Sequence, residues 1–208
     1  MKRVEWVKEV TPKLKSNMIV AAEAAYENGC DIHAEATLLL ASNCFARAAA
    51  LAILAEEEFS KSFILRTCAV QGRWDSNVFS SLRKHSNKQG ISEAMRNYFD
   101  WFTENYRKVM ELNRCSFIQC EPAFLPDTAQ LEAMKKKAAA TFTRPERDYF
   151  KQDCFYVSID EDVRLKSRPN FIDRMLAQQC LDEADKFKVV VEVLAGNTSG
   201  LAKWVQSA

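Results

Sequence analysis

Glycine and proline are scarce in this sequence, with five of each in 208 residues. Together they fall well under the roughly 12% usual in proteins. Few chain breakers, with many Ala, Leu, Glu and Lys residues, point to long helices. Long apolar runs are also missing. The longest stretch without a charge is Ala36 to Ala46, 11 residues, and a transmembrane helix needs about 20. The start, Met1-Lys2-Arg3-Val4-Glu5, is charged throughout, so no signal peptide and no membrane span are expected. No sign of charge dominates: 29 Lys+Arg against 28 Asp+Glu leave a formal net charge of +1. The strong basic excess of a typical nucleic-acid binder is absent, although a local basic site remains open. Only two histidines occur, His33 and His85. Neither belongs to an ExxH or HExxH pattern, which leaves a di-metal bundle and a zincin unsupported. No glycine-rich phosphate loop and no GxSxG serine is present. Seven cysteines are scattered without a CxxC pair. A reduced, cytoplasmic protein without zinc ribbons or disulfides is the simplest reading.

What remains is an ordinary globular balance, 48% hydrophobic and 27% charged, in a chain of one-domain length. Thr11-Pro12 reads as an N-cap with proline at the first helical position. A helix from there would end near Asn28, with Gly29 as its stop. Residues 31–71 hold neither glycine nor proline, so one helix is expected from an Asp31 cap to a Gly72 stop. Its centre, Ala48 to Ala55, is apolar on every side, as a helix central to a bundle is. A third helix is expected over about 76–87, broken by Gly90, and a long one from Ser92 to about Ile118. A further helix is expected from Asp127 or Thr128 to Ala140. Residues 143–148 read as a loop, and Cys154 to Ile159 as an extended segment. Pro169 precedes a last long helix to about residue 195, and 197–208 form a short tail.

Three groups of residues can carry chemistry. Glu56-Glu57-Glu58-Phe59-Ser60-Lys61 follows directly on the apolar centre. Glu57 and Glu58 fall on faces shared with apolar residues, where an unpaired charge is costly. Glu57 and Lys61 stand at i,i+4 and can pair. Arg83-Lys84-His85-Ser86-Asn87-Lys88 places a histidine among cations before the expected Gly90 break. Such a histidine can move protons near neutral pH, and the cations can hold a phosphate. Arg147, Lys151 and Tyr156 surround the expected extended segment. Each group also has a bland reading: a structural ion pair, a solvated basic helix end, and a loop with an aromatic anchor.

In order along the chain, these residues resemble the AbiV family of abortive-infection, phage-defence proteins, built on a HEPN-like helical domain. Ala21-Ala-Glu-Ala-Ala25 leads; Glu57-Glu58-Phe59-Ser60-Lys61 matches the family's EE-[LF]-x-K pattern, with Ser60 where glycine is common. His85 and Lys88 match its H-x-x-K element, and Phe155-Tyr156-Val157 its late [LF]-Y-V element. The resemblance implies an all-α, HEPN-like bundle with a long central helix and a short irregular or extended insert near 150–160. It implies one domain over 1–208, with its core at 17–190. It also implies translation arrest triggered by a phage-encoded activator protein, and a homodimer. Many HEPN domains are metal-independent ribonucleases, which would make His85, Lys88, Glu57, Glu58 and Lys61 catalytic. Arg83, Lys84, Arg147, Lys151 and Tyr156 would then hold RNA, with no metal and no cofactor. The HEPN nuclease motif, Arg then four to six residues then His, is missing: Val78, Phe79 and Ser80 stand before His85, and Tyr26, Glu27 and Asn28 before His33. A non-catalytic protein that blocks the translation machinery is the alternative.

Overall fold

The computed structural model describes residues 7–83, 85–105, 146–156, 158–159, 161–167 and 169–207. Of these, 82% are helical, so the all-α expectation holds. Helix α1 spans Pro12–Ala41 and α2 Phe45–Gln71. Helices α3 (Ser76–Arg83) and α4 (His85–Glu104) follow, then α5 (Glu146–Phe155), α6 (Arg174–Leu194) and α7 (Ser199–Ser207). Among the described residues a short 3-10 turn at Pro169–Phe171 and two small antiparallel ribbons complete the inventory. Val7–Lys8 (β1) pairs with Trp74–Asp75 (β2), and Ser158–Ile159 (β3) pairs with Leu165–Ser167 (β4).

The Thr11 hydroxyl accepts from the Leu14 backbone N–H at 3.2 Å, so the expected cap starts α1. Helix α1 then runs straight through Gly29, which is not a stop. A Cβ there would lie 2.7 Å from Cε1 of the buried Phe59 ring. At Gly29 the missing side chain lets the Phe59 ring of α2 close against α1. The break expected at 29–31 falls instead at Ser42–Cys44, where Asn43 takes a left-handed φ of 60°. Asparagine tolerates that conformation and ends helices by it. The single 31–71 helix is therefore two helices. Gly72 closes α2 as expected, with φ +65° and its N–H bonded to the Cys68 carbonyl.

Helix α2 lies at the centre, packed against α1, α4, α5 and α6. Ala46, Ala48, Ala49, Ala50, Ala52 and Ala55 are all buried. Small side chains on every face let four neighbours come close. Ser60, at the position where glycine is common, is fully buried too. Helices α1 and α6 run antiparallel and carry two polar links. Tyr26 Oη donates to Glu192 Oε1 at 2.7 Å. Seven residues along each helix, His33 Nε2 stands 3.3 Å from Asp185 Oδ1, without hydrogen-bond geometry. Burial, then the Glu192 hydrogen bond, raises the Tyr26 phenol above its usual range, so it stays a donor.

Three further expectations change. Helix α4 passes through Gly90, so His85 to Gln89 sit on continuous helix rather than before a break. Residues 146–155 form α5, so the loop expected at 143–148 and the strand expected from Cys154 are helical where described. Cys154 faces the core, which favours the helix over an exposed ribbon. Among the described residues of that segment, Ser158–Ile159 keeps the extended form. The tail contains α7, anchored by Leu201 and by Trp204 against Phe99 at 5.4 Å. The expectations for 106–145, including the helices to Ile118 and Ala140, lie outside the described residues.

Candidate functional site

The acidic run on α2 and the cations of α5 meet. Lys151 Nζ donates to Glu57 Oε1 at 2.6 Å, with side chains only 10% and 14% exposed. The expected Glu57–Lys61 pair is replaced by an exchange of partners. Lys61 Nζ sits 2.5 and 2.6 Å from the two oxygens of Glu58, one turn away. The reason is position on the helix. Glu57 faces α5, where a lysine from a distant part of the chain can reach it, and Glu58 turns toward the side where Lys61 emerges. Glu56 is the most buried of the three acids, at 2% exposure.

Beside this pair a cavity of about 590 Å³ opens between α2, α4, α5 and α6. Ile53, Arg96, Phe150, Leu176, Gln179, Cys180 and Glu183 line it. Ile53 is one helical turn before Glu57, and Phe150 directly precedes Lys151. The ion pair thus ties together two of the cavity's walls. A second pair ties the other two: Arg96 Nε donates to Glu183 Oε2 at 2.5 Å, and Lys186 Nζ to Glu183 Oε1 at 2.6 Å. The Arg96 guanidinium also lies 5.9 Å from the centre of the Phe187 ring.

Burial by itself would raise the Glu183 carboxyl, but the hydrogen bonds from Arg96 and Lys186 outweigh it and hold its pKa below the usual 4.5. A depressed carboxyl adds stability above its unfolded pKa and loses it as pH falls through the folded value. Glu183→Gln is therefore expected to destabilise the protein at about pH 7 and to lose most of that deficit near pH 3. Urea midpoints of both proteins at the two pH values check this. An equal deficit at both would show that the carboxylate's charge contributes nothing.

Other expected site residues fare differently. His85 and Lys88 occupy the helical backbone of α4, and Arg83 ends α3. Arg147 lies in the first turn of α5. The side chains of these four, and all of Lys84, lie outside the described residues. Tyr156 is 68% exposed at the end of α5, with its ring 6.2 Å from that of Phe155. Arg96, Gln179, Glu183 and Lys186 went unnoticed in the sequence. Glu183-x-x-Lys186 could have been read as an i,i+3 pair. The Arg96–Glu183 contact spans 87 positions and leaves no local signal. Among the described residues no group of three His, Cys, Asp or Glu can hold a metal ion, and no helix is long and apolar enough to cross a membrane.

No curated protein and no solved structure matches the chain. A family model does, over residues 17–188, from the first turns of α1 to the second half of α6, and so across both ion pairs, with α7 beyond its end. The protein belongs to the AbiV family, a HEPN-type family of abortive-infection proteins.

Proposed function

We propose that this AbiV-family protein arrests translation on phage infection by cutting RNA without a metal ion. The observation that carries the reading is the placement of His85 and Lys88. They stand three residues apart on unbroken helix, the spacing that puts two residues on one helical face. A histidine and a cation so placed suit transesterification by the 2′-OH of RNA. His85 takes the proton from the hydroxyl and returns one to the leaving 5′ oxygen. Lys88, with Arg83 and Lys84, stabilises the charge that builds on the phosphate. Arg147 and Tyr156 contribute to RNA binding. Glu57, Glu58, Lys61 and Lys151 form the charged frame on α2 and α5 that fixes the site. Two copies in a cytoplasmic homodimer would set two such sites about a twofold axis, with a phage-encoded protein as the trigger.

A second reading is a non-catalytic protein that blocks the translation machinery. It is favoured by Val78, Phe79 and Ser80, which stand where the HEPN nuclease arginine would be. Total RNA and protein synthesis, followed in infected cells carrying wild type or His85→Ala, separate the two. Discrete RNA fragments and arrest with wild type alone support cleavage. Arrest with intact RNA in both overturns it in favour of binding.

A further inference from the structure

We draw no further inference here: the strongest candidate, the exposed apolar surface of Tyr149 and Tyr156 around α5 and of Phe171 and Met175 at the start of α6, carries nothing, because nothing in the structure shows what covers it.

Discussion

Lys151→Ala is expected to cost about 3–5 kcal/mol, the usual loss when one partner of a buried ion pair is removed. The Glu57 carboxylate would keep its place on α2, 14% exposed, without the ammonium 2.6 Å away. For a chain of this size the loss lowers the melting temperature by roughly 10 °C. The double variant Glu57→Gln with Lys151→Met should recover most of it, because both charges leave together and the methionine keeps the lysine's volume. Thermal melts of wild type, the single variant and the double variant measure the coupling directly. A Lys151→Ala loss below about 1 kcal/mol would place this pair with ordinary surface pairs and remove its role as the clamp between α2 and α5.

Gly29→Ala is expected to destabilise the protein by about 1–3 kcal/mol, the usual cost of overpacking. Helix propensity alone predicts the opposite, a gain of about 1 kcal/mol in a helix interior. The packing decides the sign. The new methyl would fall 2.7, 2.8 and 3.2 Å from Cε1, Cδ1 and Cζ of Phe59. That ring has no exposed surface, and its centre lies 5.9 Å from the centre of Tyr26. It has nowhere to retreat without disturbing the phenol that links α1 to Glu192 on α6. Phe59→Leu opens space at that point and should make Gly29→Ala nearly neutral in its background, a coupling of about 1 kcal/mol or more. Denaturant unfolding of the four proteins in the cycle tests it. Additive effects would mean that α1 and α2 can shift apart at Gly29.

Much of this architecture is legible in the residues alone. The shortage of breakers, the Thr11-Pro12 cap, the all-round apolar centre of α2 and the Gly72 stop depend on local preferences. Local preferences survive folding when nothing distant opposes them. The family resemblance is legible for the same reason, since its motifs run in order along the chain. Gly29 and Gly90 show the limit. A glycine that ends a helix and one that admits a neighbour's ring look identical in a sequence. Only the position of Phe59 distinguishes them at Gly29. The break at Ser42–Cys44 had a local signal in Asn43 but no glycine or proline to draw attention to it.

Charge partners lie furthest from what a sequence can specify. Spacing proposed Glu57 with Lys61, and the fold chose Glu57 with Lys151 across 94 positions, leaving Lys61 to Glu58. A buried carboxylate takes the cation that reaches it with least exposure to water. Which cation that is depends on how four helices come together around α2. The sequence by itself determined an all-α chain of the AbiV family with a small-residue central helix, because these follow from periodicity, capping and motif order. The tertiary structure alone decided the Glu57–Lys151 and Arg96–Glu183 pairs and the cavity they frame, because each joins residues that only packing brings within hydrogen-bonding reach.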